Sequence, residues 1–177
     1  MNLDMVNNNY LNLCGLIDPS RAEDLAKGFK KFVKDNNKTG DVQAPNSPSV
    51  YNYMPFVKLL VELTPMVSQK LGEQVLPTYS YARVYSKKEV LHRHRDRPAC
   101  EVSITLNLSK DKDWDIWFQR PDGYEASVNM NPGDGVMYFG CIADHWREPF
   151  KGKEYTQVFL HYVRADGPYN WAFFDNK

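Results

Sequence analysis

The sequence predicts an α+β chain, mainly β, in which an N-terminal helical layer supports a sandwich or barrel of short strands. Three observations carry this prediction. Apolar residues recur at helical spacing in two segments before residue 75. From residue 79 onward the period changes to two, the side-chain period of a strand. No helix-length segment separates the later strands, which argues against a parallel βαβ sheet. A chain of 177 residues suggests one domain, 1–177, with helical support in 1–75 and the core in 76–177.

The elements follow in order. "IDPSRAEDLAKGFKKFVKDNN" opens with Asp18 as an N-cap and Pro19 at the first helical position. Ala22, Leu25, Phe29, Phe32 and Val33 then recur at helical spacing, with lysines between them. "NNKTGDVQAPNSPS" has no apolar period and many turn formers, so it predicts a loop. In "YMPFVKLLVELTPMVSQKLGEQV" the apolar stripe is Phe56, Leu60, Leu63, Val67 and Leu71. Its Thr64–Pro65 step predicts a kink or a division of this helix in two. The strand candidates are "YSYARVYS", "CEVSITLNLS", "DIWFQR", "EASVNM", "GVMYFG" and "EYTQVFLHYVR". "SKDKD", "RPDGY" and "NPGDG" separate them as turns, and Asp134 of the last is expected to accept backbone hydrogen bonds there.

Composition excludes several classes. Lysine plus arginine (22) equals aspartate plus glutamate (22), so no basic excess signals a nucleic-acid partner. No apolar run approaches a membrane span, and the N-terminus lacks the basic and apolar regions of a signal peptide. The three cysteines, Cys14, Cys100 and Cys141, are odd in number and widely spaced. They predict reduced thiols in a cytoplasmic protein, with Cys100 and Cys141 as buried small residues. Aromatics at 14% suit a β-rich core or a cleft, and Trp114, Trp117, Tyr138 and Phe139 are expected in the packing.

The chemistry concentrates in "EVLHRHRDRPACEVSITLNL", where His92, His94 and Asp96 fall at every second position. On an extended chain they share a face. His94 and Asp96 with the distal His145 make two imidazoles and one carboxylate, a set that leaves coordination positions open on an iron. A solvated strand edge, with Asp96 paired among Arg93, Arg95 and Arg97, is the plain structural alternative. A cupin would instead recruit His92, His94, Glu101 and His145. His92 is expected outside the ligand set, and His161, within "VFLHYV", as a core histidine with its hydrogen bonds met.

Residues 79–165 resemble the 2-oxoglutarate- and iron(II)-dependent oxygenases, in particular their prolyl-hydroxylase-like group. The resemblance lies in an ordered set of elements. "YSYARVYSKKEVLHRHRD" leads an aromatic-ended strand into H-x-D, "ACEVSITLNLS" follows, and "NPGDGVMYFGCIADH" brings a PGD turn before the second histidine. "HWREPFKGKEYTQVFLHYV" then supplies the proline and closing strand. "HRDRPACE" and "HWREPF" are similar to the small oxygenases of phages and bacteria. The resemblance implies a double-stranded β-helix, or jelly roll, with the helical layer on one sheet. It implies His94, Asp96 and His145 as the ligands of a catalytic Fe(II), with 2-oxoglutarate and O2 consumed to give succinate, CO2 and a hydroxylated carbon. A peptidyl, prolyl-type side chain or a small molecule is the implied substrate, and a phage-encoded protein would act in the host cytoplasm. A cupin-like or catalytically inactive metal-binding jelly roll is the alternative.

One feature departs from the family pattern. A basic residue at the start of the closing strand usually binds the distal carboxylate of 2-oxoglutarate, and Glu154 and Tyr155 stand there instead. Arg147 is the first replacement, because residues two apart on a strand share a face and would place it beside His145. Arg83 is second, between Tyr81 and Tyr85, and Lys153 is third; an arginine can grip a carboxylate with two parallel bonds. Tyr85, Thr105 and Asn107 complete the expected polar lining.

Overall fold

The structure, a computed structural model, describes residues 2–175. Its elements are α1 (Leu3–Asn8), β1 (Tyr10–Leu13), α2 (Pro19–Asp35), β2 (Ser49–Tyr51), α3 (Met54–Leu71) and β3 (Val75–Ser86). Then come β4 (Leu91–His94), β5 (Val102–Lys110), β6 (Ile116–Gln119), β7 (Glu125–Val128), β8 (Gly135–Tyr138), β9 (His145–Arg147) and β10 (Glu154–Arg164). All pairings are antiparallel. One sheet has the order β1-β8-β5-β10-β3-β2 and the other β4-β9-β6-β7. From β3 to β10 the chain crosses between the two sheets at every step except the β6–β7 hairpin, and the jelly roll closes around the space between them.

The larger sheet is buried on both faces because its alternate residues serve two different layers. Ala82, Ile104, Leu106, Val158, Leu160 and Tyr162 belong to one apolar cluster with Ala22, Ala26 and Phe29 of α2 and Phe56, Leu60, Leu63 and Val67 of α3. The Tyr162 hydroxyl also donates to the Leu60 carbonyl at 3.0 Å, which ties β10 to α3. The opposite residues of the same strands, among them Tyr85, Thr105, Tyr155, Gln157, Phe159 and His161, are buried towards the second sheet.

Of the two expected helices, the first, α2, forms as its sequence indicates. Asp18 accepts from the Ser20 N–H at 2.8 Å, and Pro19 occupies the first turn. The second, α3, is not divided in two: it runs from Met54 to Leu71 through Pro65. The proline has no N–H to give, but the preceding turn is held by Thr64, whose hydroxyl donates to the Leu60 carbonyl at 3.0 Å. Packing of the Leu60, Leu63 and Val67 face then outweighs the lost backbone bond. The region before residue 75 is also more than a helical support: β1 pairs with β8 and β2 with β3, so it supplies both edges of the larger sheet. Asp134 accepts from the Asn131 N–H within its turn and from the Gly15 N–H beyond β1.

A chain begun at residue 76 would lose both edge strands and bare the apolar face, so it is expected to aggregate or unfold. Solubility and metal retention of that truncation are the check; a soluble, metal-binding fragment would show the layer to be dispensable. In the full chain, Phe56→Ala should cost about 3–5 kcal/mol in denaturant unfolding.

Candidate metal centre and cleft

His94 ends β4, and β9 begins at His145 directly opposite, in register across the smaller sheet. The register slips between Leu91 and His94, so the "HRH" stretch is an irregular strand and not the even alternation its spacing suggests. His92 is exposed, and it contributes through its backbone: its carbonyl lies 2.7 Å from His94 Nδ1. The Ala143 carbonyl lies 3.0 Å from His145 Nδ1. Each carbonyl accepts the Nδ1 proton, which leaves both Nε2 lone pairs free for a ligand.

Asp96 lies beyond the strand, where its N–H donates to the Gly140 carbonyl at 2.8 Å. That bond turns the carboxylate into the cleft. Asp96 Oδ1 stands 3.6 Å from His94 Nε2 and 3.6 Å from His145 Nε2. Cis ligands at about 2.1 Å from one ion would stand roughly 3 Å apart, so a small divalent cation would need to draw these atoms in only slightly. Gly140 was missed by the sequence reading: a Cβ there would lie 2.6 Å from Asp96 Oδ2 and 2.2 Å from the Cys100 carbonyl. Only glycine allows this approach.

The electrostatics agree with a cation site. Burial opposes charge on Asp96, but His94, His145 and His161 around it hold its carboxyl below the usual range. Burial also opposes protonation of His94, and the Asp96 carboxylate with the His92 carbonyl outweighs it, so the net shift is upward. For His145 burial wins over Asp96 and the shift is downward. His161 is a buried core histidine with Nδ1 2.8 Å from the Ser103 hydroxyl, and burial pushes it down to about 4. It lines the same cleft as Tyr51, Tyr79, Tyr81, Tyr138 and Phe159. Cys100 is buried, its thiol pushed up to about 12, and Cys141 is only half-buried.

Glu101, which a cupin would use, is turned away: Oε1 accepts from Arg164 Nη1 at 2.6 Å and Oε2 from the Arg164 N–H at 2.8 Å. Glu154 also faces away from the cleft, paired with Lys30 of α2 at 2.7 Å. Lys153 is exposed, its backbone N–H rather than its side chain being held, by Asp111. Tyr155, the next residue, is buried on the inner face beneath Arg147, whose guanidinium carbon is 5.0 Å from its ring centre.

Arg147 is buried between the sheets. Nη1 donates to the Trp114 carbonyl, Nη2 donates to Gln157 Oε1 at 2.8 Å, and Nε has no partner among the described residues. Its partners are neutral, so this is a buried cation with no acid bonded to it. Gln157 in turn donates to the Thr105 hydroxyl, and Asn107 Nδ2 donates to the Met130 carbonyl at 2.7 Å. Arg83 is equally buried, between the Tyr81 and Tyr85 rings, but Asp41 meets its Nη2 at 2.5 Å. The structure therefore brings His94, Asp96, His145 and Tyr85 to one cleft, places Arg147, Arg83, Thr105 and Asn107 behind its wall, and leaves Lys153 outside.

No protein-family model and no curated protein matches the sequence. Solved structures match the fold. A prolyl-4-hydroxylase from Pseudomonas putida is 16% identical, with a TM-score of 0.73 over 91% of this chain and 95% of that one. The epimerase SnoN of nogalamycin biosynthesis, solved with Fe3+ and α-ketoglutarate, is 12% identical, with a TM-score of 0.76 over 99% and 88%. HygX from Streptomyces hygroscopicus, solved with nickel and 2-oxoglutarate, is 11% identical, with a TM-score of 0.73 over 93% and 86%. The double-stranded β-helix with an N-terminal helical layer is therefore the fold of this chain.

His94→Ala, Asp96→Ala and His145→Ala should each abolish the binding of one Mn(II) or Co(II) per chain, and His92→Ala should keep it. Gly140→Ala should weaken binding by displacing Asp96. Both imidazoles must be neutral to bind, so affinity should fall as pH drops, with His94 taking its proton first. Metal content by elemental analysis checks all five variants and the pH series.

Proposed function

We propose that this chain is an Fe(II)- and 2-oxoglutarate-dependent dioxygenase that hydroxylates an unactivated C–H bond, with release of succinate and CO2. One observation carries the reading: the same inter-sheet space holds a two-histidine, one-carboxylate cluster and, behind it, an arginine without a bonded acid. Two neutral imidazoles and a carboxylate fit Fe(II) and leave positions for a chelating co-substrate and dioxygen. A buried cation lacking an anion is costly, and such an arginine is suited to a carboxylate brought by a ligand. Bound there, the iron with 2-oxoglutarate and O2 would supply the oxidising power; the chain supplies geometry, anchoring and exclusion of water.

His94, Asp96 and His145 would hold the metal on one side only. Arg147 would take the distal carboxylate of 2-oxoglutarate, with Gln157 and Thr105 fixing the guanidinium and Tyr85 closing the wall. Arg147 is preferred to Arg83 because Asp41 already neutralises Arg83, and to Lys153 because that residue is exposed. The tyrosine row at the mouth, Tyr51, Tyr79 and Tyr81, offers flat apolar faces for a ring such as a prolyl side chain. The prolyl-4-hydroxylase of the same fold accords with such a substrate, and a small molecule remains the competing class. Among the described residues no helix is long and apolar enough to cross a membrane. Free thiols at Cys14, Cys100 and Cys141 suit a reducing cytoplasm.

The Mn(II)-loaded protein should bind 2-oxoglutarate, and Arg147→Ala should weaken that binding roughly 10- to 150-fold, the loss of a charge-assisted contact of about 1.5–3 kcal/mol. Arg83→Ala and Lys153→Ala should change it much less. Calorimetric titration reads the affinities, and thermal melting confirms that each variant is folded. No binding by the wild type would sink the oxygenase reading. Binding without succinate release across a substrate panel would leave an inactive metal-binding jelly roll.

A further inference from the structure

Arg83 is a fully buried cation whose guanidinium is only partly used. Nη2 donates to Asp41 Oδ2 at 2.5 Å and to the Tyr81 hydroxyl oxygen, and Tyr81 donates to the same Asp41 oxygen at 2.7 Å. Nε and Nη1 have no hydrogen-bond partner among the described residues. A carboxylate that engaged the fork fully would satisfy donors that Asp41 leaves unmet. Asp41 cannot do so, because Oδ1 is committed to its own turn, accepting from the Gln43 N–H at 2.9 Å and the Ala44 N–H at 3.1 Å.

Asp41 also comes from the solvent side. It sits in segment 36–48, which has no helix or strand, and its side chain is 43% exposed. The second half of the segment is fastened: Ala44 is buried with Tyr85, Trp114 and Phe150, and Asn46 and Ser47 bond to Glu89 and Ser86. The first half stands at the surface, with Val42 at its tip fully exposed. Gln43 and Tyr81 both line the cleft that holds His94, Asp96 and His145. The carboxylate of Asp41, bonded to the cleft-lining Tyr81 and two residues from Gln43, thus stands beside the cleft as one that an incoming ligand could replace.

We propose that Arg83 and Tyr81 form a carboxylate-binding subsite for the primary substrate, which Asp41 fills when no substrate is present. The substrate class is then a carboxylate-bearing molecule, a free acid or an acidic or C-terminal peptide group, held beside the tyrosine row. This rests on the oxygenase reading for the word substrate, but not for the subsite itself. Gly40 sets the latch: a Cβ there would lie 2.1 Å from the Ala44 carbonyl and 2.4 Å from the Pro45 carbonyl. Gly40→Ala must therefore open the turn that carries Asp41.

The test uses benzoate as the probe and benzamide as its uncharged match, titrated into the full chain loaded with Mn(II) and 2-oxoglutarate. Asp41→Ala and Gly40→Ala should each tighten benzoate by roughly tenfold or more, with benzamide unaffected. Arg83→Gln in the Asp41→Ala background should remove that gain. Where Arg83→Gln fails to fold by thermal melting, Tyr81→Phe in the same background serves instead and should remove part of the gain. Equal benzoate affinity in the wild type and both loop variants overturns the proposal and leaves Asp41 a structural counter-ion. So does a gain that survives Arg83→Gln. A tightening of 2-oxoglutarate itself in Asp41→Ala would also overturn it, by giving Arg83 to the co-substrate. If 2-oxoglutarate never binds, the oxygenase reading falls alone, and the benzoate series on the Mn(II) protein still decides the subsite.

Discussion

The period of two along β10 is the constraint on which the rest of the molecule depends. Val158, Leu160 and Tyr162 meet the helical layer, and Tyr155, Gln157, Phe159 and His161 meet the second sheet. A slip of one residue would exchange these sets, placing glutamine and histidine against the helices and valine and leucine in the cleft. Burial of the apolar set therefore also fixes the polar set. Lys30 reinforces the choice by holding Glu154 on the helical side. β3 obeys the same rule, with Ala82 outward and Arg83 inward opposite Gln157. Apolar packing thus aims the groups that form the interior of the site.

That rule explains what was legible. His94 and Asp96 are legible in their two-residue spacing and His145 only through the family resemblance of its motif, and the structure brings the three side chains together. The means differ from simple alternation, because the register slips before His94 and Asp96 lies off the strand, turned by the Gly140 carbonyl. Spacing limited which side chains could meet, and a backbone contact with a distant residue completed the arrangement. The two long helices were legible because each carries an apolar stripe and a charged face, and α2 also has the Asp18 cap. The fate of Pro65 was not, since local propensity cannot weigh one missing hydrogen bond against a tertiary apolar face.

Other features left no periodic signal to read. β1 and β2 span only Tyr10–Leu13 and Ser49–Tyr51, too short to show alternation, and exist because a sheet edge stands ready for them. Asp41 lies in a segment whose composition indicates only a loop, and its partners Tyr81 and Arg83 are far along the chain. Gly140 reads as the end of the strand candidate "GVMYFG", although its lack of a side chain is what admits the Asp96 carboxylate. In each case the deciding contact joins residues that no local window contains.

The placement of charge in the interior is the remaining link between fold and function. The whole chain has a formal net charge of +0, so no global field draws an anion to it. Locally the balance differs. Two guanidiniums are buried between the sheets, Asp41 is bonded to one, and neutral groups surround the other. A divalent ion on two neutral histidines and Asp96 would leave a further positive charge in the same low-dielectric space, and each excess charge there is costly until matched. A dicarboxylate would meet both demands at once if, as proposed, one end lay on the metal and the other on Arg147. Metal and dianion would therefore each favour binding of the other.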